Sequence, residues 1–307
     1  MRFTLLMNLA LRRWILRIYN LVAPVVSKTG ITKMRIKGST LGSMIYLLFT
    51  KILYYKIPDP IENKGIIMFH RIPEGQKQFG WLYAFEYEPE TSLVFEQIVK
   101  PGMTVVDVGA NIGYYTLLAA KLVGNEGKVY AFEPNPSFYW LLQKNIRINA
   151  LDKIVEAFQV AIGNTESKSI LFIGKCITTS LFKVLDSAEQ AISVNVISLD
   201  KFFMNRGWPS VDVIKVDAEG ADKIVLEGIR VLVKRCPELK LIIELDPSYL
   251  EAAGTSAEEL LILLGELGFN RIRALSGEIE YYNIPSDTQY LINLGWERGY
   301  INLLCER

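Results

Sequence analysis

Carboxylates gather at the ends of apolar runs in this chain. Asp217 and Glu219 close Ile214-Lys-Val-Asp-Ala-Glu-Gly220, and Asp107 lies in Thr104-Val-Val-Asp-Val-Gly-Ala-Asn-Ile-Gly113. Carboxylates at such positions can hold a ligand's hydroxyl or ammonium group, or take a proton from it. The valines around Asp107 read as a buried parallel strand, and Gly109 and Gly113 let the chain turn sharply into a helix over Tyr114–Leu122. Open α/β sheets bind ligands at the carboxyl ends of their strands, which is where these acids fall.

The loop departs from a dinucleotide fingerprint. That pattern is G-x-G-x-x-G, with a pyrophosphate on the helix amides. Here Asn111 replaces the second glycine and Tyr114 the third. Asn adds bulk where a pyrophosphate must come close, but its amide hydrogen-bonds an uncharged or zwitterionic ligand. An acid ends the next strand, Lys128-Val-Tyr-Ala-Phe-Glu133, where a carboxylate can accept both hydroxyls of an adenosine ribose. The pair fits S-adenosylmethionine better than NAD. Asp107, Gly109, Asn111, Gly113 and Glu133 are therefore the expected cofactor contacts. Two readings compete with a methyltransferase: an NAD-type oxidoreductase, opposed by Asn111 and Tyr114, and a membrane-peripheral binding protein with a vestigial cofactor site, opposed by the intact loop.

Asp107-Val-Gly-Ala-Asn-Ile-Gly-Tyr-Tyr-Thr116, Ala131-Phe-Glu-Pro-Asn135, Val160-Ala-Ile-Gly163 and Ile214-Lys-Val-Asp-Ala-Glu-Gly-Ala221 together resemble the FkbM family of S-adenosylmethionine-dependent methyltransferases, in order and spacing, from about Gly65 to Glu244. The resemblance implies a Rossmann-like class I methyltransferase fold. It adds Asn135 and Ala161 to the expected cofactor contacts, and it implies methylation of a hydroxyl on a sugar, glycolipid or natural product. Methyl transfer to oxygen is an in-line displacement that needs an aligned acceptor and a route for its proton. Asp217 is expected to serve the acceptor or the methionine amino group. Glu219 is expected either to act in the site or to cap the helix starting near Ala221, and Glu244 is a third candidate. No Asn/Asp-Pro-Pro-aromatic loop or Pro-Cys nucleophile occurs, which excludes the usual base and cytosine-carbon methylation chemistries. No Asp-Asn pair follows Asp217, so no metal is expected.

The 307 residues carry a net charge of +1, unevenly spread. Up to Pro58 there are five Arg, five Lys and no acid, leaving net −9 on the rest. Phe3–Ala23 places Phe3, Met7, Leu11, Trp14 and Ile18 at helical spacing with Arg13 and Arg17 opposite, and is too short an uncharged run to span a bilayer. It reads as a helix lying on an anionic membrane surface, ahead of an arm packed on protein; a nucleic-acid arm ranks lower. Cys176, Cys236 and Cys305 form no framework and indicate a reducing, cytoplasmic setting. The lone His70 reads as structural.

Three segments are expected: a basic helical segment over 1–62, a short hairpin and helix over 63–102, and the cofactor-binding domain over 103–307. The hairpin strands are expected at Ile66–Ile72 and Trp81–Tyr87, with a helix over Glu90–Val99. In the last segment strands and helices alternate, which requires an α/β fold with a mostly parallel sheet and helices on both faces. Strands are expected at Thr104–Val108, Val129–Phe132, Ile154–Val160, Val213–Val216, Leu239–Glu244, Arg271–Leu275 and Tyr300–Cys305, seven in all. Helices are expected at Pro136–Asn149, Ala221–Lys234 and near Thr255–Leu267. An insert, Gly163–Ser210, with strands at Ser169–Ile173 and Ser193–Ile197, is the expected acceptor lid.

Overall fold

The computed structural model describes residues 59–71, 87–174, 179–182, 190–276 and 280–307. The basic segment before residue 59 and most of the strand expected at Trp81–Tyr87 lie outside the described residues. In chain order the first elements are β1 (Ile61–Asn63), β2 (Ile66–Met68), α1 (Pro89–Ile98), β3 (Thr104–Val108), α2 (Tyr114–Val123), β4 (Lys128–Phe132), α3 (Pro136–Ile148) and β5 (Val155–Phe158). β6 (Ala161–Ile162) comes next, and the insert supplies β7 (Ser167–Ile173), β8 (Thr179–Ser180), β9 (Gln190–Ile197) and α4 (Leu199–Met204). Then follow β10 (Val213–Val216), α5 (Asp222–Glu227), α6 (Arg230–Arg235), β11 (Lys240–Leu245), α7 (Pro247–Ala252), α8 (Ala257–Glu266), β12 (Arg271–Ala274), β13 (Tyr281–Asn283), α9 (Thr288–Arg298) and β14 (Ile301–Glu306).

Among the described residues the main sheet has eight strands, ordered β13-β12-β14-β11-β10-β3-β4-β5. Neighbours from β11 to β5 run parallel, and β14 is antiparallel to both its neighbours. Seven of these strands match the expectation. The eighth, β13, pairs on the edge of β12 and was hidden by its brevity. The chain order reverses between β3 and β10, the position where such sheets open a ligand crevice.

Alternate residues of each strand serve opposite faces. Val106, Val108, Ile214, Val216 and Ile243 join the apolar core formed with α4, α5, α6 and α8. Their neighbours Asp107 and Lys215 point to the other face, toward Thr116 and Tyr115 of α2. Helices thus cover both faces.

Three expectations change. The helix expected over Ala221–Lys234 is two helices, α5 and α6, interrupted at Gly228. A Cβ on Gly228 would lie 2.0 Å from Gly163 O, so the chain breaks helix to pass this backbone. Asp200 then accepts from the N–H groups of Val231 and Leu232 at the start of α6. The third strand of the main sheet stops at Phe158, and the chain leaves for a separate four-stranded sheet, β6-β9-β7-β8. The helices α7 and α9 are additional to those expected.

Among the described residues the β1–β2 hairpin is held by side chains of α3. Asn149 Oδ1 accepts from Ile67 N at 2.9 Å and its amide donates to Ile67 O. Asn145 repeats the pattern on Phe69 and also donates to Ile112 O in the glycine loop at 2.8 Å. Four helix residues rise about 6 Å and two strand residues nearly 7 Å, so the two amides match the strand's edge. His70 is buried and its backbone N–H donates to Asp59 at 2.9 Å, in keeping with a structural role.

Candidate active site

The loop after β3 is shaped by backbone contacts that only its residues allow. Gly109 and Ala110 both donate to Phe132 O at 3.0 Å, folding the loop against β4. Gly109 has φ 78°, and a Cβ there would lie 1.9 Å from Asp217 O. The tips of β3 and β10 therefore touch through a glycine. Asn111 adopts φ 51°, a left-handed conformation that Asn tolerates better than most residues. Its Oδ1 accepts from Ile112 N at 2.8 Å, while Gly113, at φ 103°, starts α2.

Glu133 is held more tightly than the sequence implies. Its Oε2 accepts from Asn111 N and its Oε1 from Asn135 N, both at 2.8 Å, and the residue is 2% exposed. Burial pushes its pKa up to about 7 against those two hydrogen bonds. A carboxylate offers about four lone-pair sites, so two acceptors remain for a ribose. Asn135 caps α3 by accepting from Ser137 N at 2.9 Å, and its buried Nδ2 has no hydrogen-bond partner among the described residues. An orphaned donor beside a buried acceptor pair fits an adenosine, which brings both hydroxyl donors and acceptor atoms.

On the opposite side of β3 the sheet presents Asp107, Lys215 and Asp217 on one face. Asp107 is buried and accepts from Thr116 Oγ1 at 2.5 Å; burial raises its pKa. Lys215 donates to Asp217 Oδ2 at 2.8 Å and lies 4.6 Å from the centre of the Tyr115 ring. Burial opposes its charge, but Asp217, Glu88 and Asp107 together raise its pKa above the ordinary value. Glu88, just before α1, accepts from Tyr115 OH at 2.8 Å and from Asn302 Nδ2 at 3.1 Å.

The turn after β10 corrects one expectation. Glu219 does not cap the following helix. Asp222 supports the turn instead, accepting from Ala218 N at 3.0 Å and Gly220 N at 3.1 Å. Burial raises the Asp222 pKa to about 6. Freed from capping, Glu219 sits at φ 50° with its carbonyl accepting from Ser180 Oγ of β8 at 2.6 Å. Burial, then Asp217, Asp222 and Asp246, push its carboxyl well above the usual range. Burial, then Asp217, Glu219 and Asp222, raise the Glu244 carboxyl as well.

The structure thus brings Asp107, Gly109, Asn111, Gly113, Glu133 and Asn135 to one loop system, with Asp217 and Glu219 beside it. Ala161 differs: its side chain belongs to the small core of the second sheet, with Leu171, Ile173, Val194 and Val196. Sequence reasoning passed over Lys215, Glu88, Asn302 and Asp222. A signal for Lys215 was present: a charge amid Val213, Ile214 and Val216, two residues before Asp217 and so on its face. Glu88 and Asn302 meet only through the fold. Among the described residues no cluster of acids, histidines and cysteines is arranged to hold a metal.

Residues 107–271, more than half of the chain, match the methyltransferase FkbM domain. The chain is also 35% identical over 69 residues to protein-L-isoaspartate O-methyltransferase 1 of Arabidopsis thaliana, a match covering 22% of this chain and 30% of that relative. Among solved structures it is similar to an O-methyltransferase from Bacillus cereus in complex with SAH, at 13% identity and TM-score 0.43 over 71% of this chain and 80% of that one. It is also similar to a SAM-dependent methyltransferase from Aquifex aeolicus, at 18% identity and TM-score 0.40 over 74% and 92%. The matched block contains the β3 loop, Glu133 and the Asp217–Glu219 turn, and the chain belongs to the FkbM family of S-adenosylmethionine-dependent methyltransferases.

Proposed function

We propose that this chain transfers a methyl group to a hydroxyl oxygen of a sugar, glycolipid or natural product. The observation that carries the reading is the contact of the β10 tip with the glycine loop: Asp217 O stands where a Gly109 Cβ would be. That contact brings the backbone of the turn carrying Asp217 and Glu219 against the glycine loop, which supports a role for these two acids. S-adenosylmethionine supplies the activated methyl. Glu133 and Asn135 would hold its adenosine, and Asn111 and the two glycines would shape the loop beside it.

Asp217 and Glu219 divide the work on the acceptor. Asp217, ion-paired to Lys215, stays a hydrogen-bond acceptor that aligns the reacting hydroxyl. Glu219, two residues beyond Asp217 on the same turn and with its carboxyl pushed upward by burial, is the proposed proton acceptor. The Ser180 bond ties the inserted sheet to the Glu219 turn, which supports the insert as the acceptor lid. The chain is further proposed to work in the cytoplasm, with residues 1–58 resting on an anionic membrane surface and residues 63–102 leading into the cofactor domain.

The test is incubation with methyl-labelled S-adenosylmethionine and extracts of sugars and glycolipids. Label is expected in an alkali-stable methyl ether, lost in Glu219→Gln and formed with a raised acceptor KM in Asp217→Asn. Label recovered only as an ester or N-methyl product would overturn the hydroxyl assignment.

A further inference from the structure

Glu88 occupies the N-cap position of α1, yet its side chain makes no capping bond. An N-cap carboxylate ordinarily accepts from the first turn of its own helix. Here the backbone takes φ 43°, a conformation that is costly for a residue with a side chain, and the carboxylate turns toward the sheet. Both of its hydrogen bonds, from Tyr115 OH and Asn302 Nδ2, land on Oε2. Asn302 is fixed in turn by Thr91 Oγ1 at 3.1 Å. Oε1 accepts from none of the described residues. Three elements thus aim one carboxylate and leave half of it unused.

The sheet order says what lies in front of it. Glu133 and Asn135 mark the adenosine end at the tip of β4, on one side of β3. β10, with Lys215 and Asp217, is on the other side. A cofactor laid across the glycine loop with its adenosine over β4 carries its methionine end toward β10. Glu88 borders that end, close enough to Lys215 and Asp217 for each to affect its ionisation. The methionine end offers a sulfonium, which has no proton to donate, and an α-ammonium, which has three. Asp107 is 2% exposed and bonded to Thr116, and Asp217 is given above to the acceptor hydroxyl, whereas Glu88 is only half-buried.

We propose that Glu88, which precedes the family-matched residues, is a specificity-determining residue that accepts a hydrogen bond from the α-ammonium group of S-adenosylmethionine. This rests on the cofactor reading above. Lys215 keeps the carboxylates around it from excluding one another, and the Tyr115 and Asn302 donors hold Glu88 ready.

The experiment is calorimetry on the full chain with three ligands: S-adenosylmethionine, S-adenosylhomocysteine and 5′-methylthioadenosine, which lacks the amino-acid end. Glu88→Gln keeps one oxygen for Tyr115 and Asn302 and replaces the other by an NH2 group, which carries no charge and cannot accept from an ammonium. It should weaken the first two ligands about ten-fold, the loss of a charged hydrogen bond, and leave 5′-methylthioadenosine unchanged. Unchanged binding of all three overturns the proposal. So does equal weakening of all three, which would mean a structural role. If Glu88→Gln does not fold, Glu88→Asp and Glu88→Asn, which share a length and differ in charge, are compared in the same way. Failure of the unaltered protein to bind any of the ligands would instead sink the cofactor reading.

Discussion

At the scale of single residues, the proposed cofactor reading makes Glu133 the group that should set the pH dependence of binding. Its folded pKa of about 7 exceeds the usual 4.5 because burial disfavours the charge. The empty folded state therefore holds a proton that the unfolded chain releases between pH 4.5 and 7. Its contribution to stability is full below that window and falls as pH rises through it. Ribose hydroxyls donating to this group require the ionised form, so binding has the opposite sign. Cofactor affinity should fall as pH drops below about 7, approaching ten-fold per pH unit. Calorimetry at pH 8 and pH 6 checks this. Glu133→Ala should cost about 1.5–3 kcal/mol of binding and flatten the pH dependence; an unaltered dissociation constant would place the ribose elsewhere.

At the scale of elements, the cofactor loop is braced from three sides. Gly109 admits the tip of β10, Phe132 O takes two loop amides, and Asn145 reaches Ile112 O from α3. Replacing Asn145 by Ala leaves buried groups of Phe69 and Ile112 without partners, at about 1–3 kcal/mol each before relaxation. Chemical denaturation should show a loss of about 2–4 kcal/mol, with the hairpin the first region to exchange its amides. Gly109→Ala should act differently, because its Cβ would meet backbone, not a movable side chain. The strand tips must part, and cofactor binding should vanish before half of the stability is lost. Binding titrations set beside melting curves separate the two variants.

For the molecule as a whole, charge divides the chain. The segment before Asp59 holds ten basic residues and no acid, against a net −9 in the remainder. Attraction to anionic headgroups is worth about 1 kcal/mol for each basic residue near the surface. Replacing Arg12, Arg13 and Arg17 together by Glu in the full chain should abolish sedimentation with phosphatidylserine vesicles while leaving cofactor affinity intact. Continued pelleting of that variant would remove the membrane role. Among the described residues no helix is long and apolar enough to cross a membrane.

What could be read from the chain alone were features carried by short, local patterns. The parallel strand Thr104–Val108, its glycine turn and the acid at Glu133 all announce themselves within a few residues, since period and turn chemistry are local properties. The alternation of strands and helices dictated the α/β class in the same way. Tertiary structure decided what depends on contacts between distant segments. Gly228 has no room for a side chain because Gly163 passes beside it, and Glu88 meets Asn302 from the far end of the chain. Lys215 gathers Asp107, Asp217 and Glu88 only once β3, β10 and α1 are assembled. Burial in that assembly, and not residue type, raised the pKa values of Asp107 and Glu88, because only a folded interior withholds water from a charge.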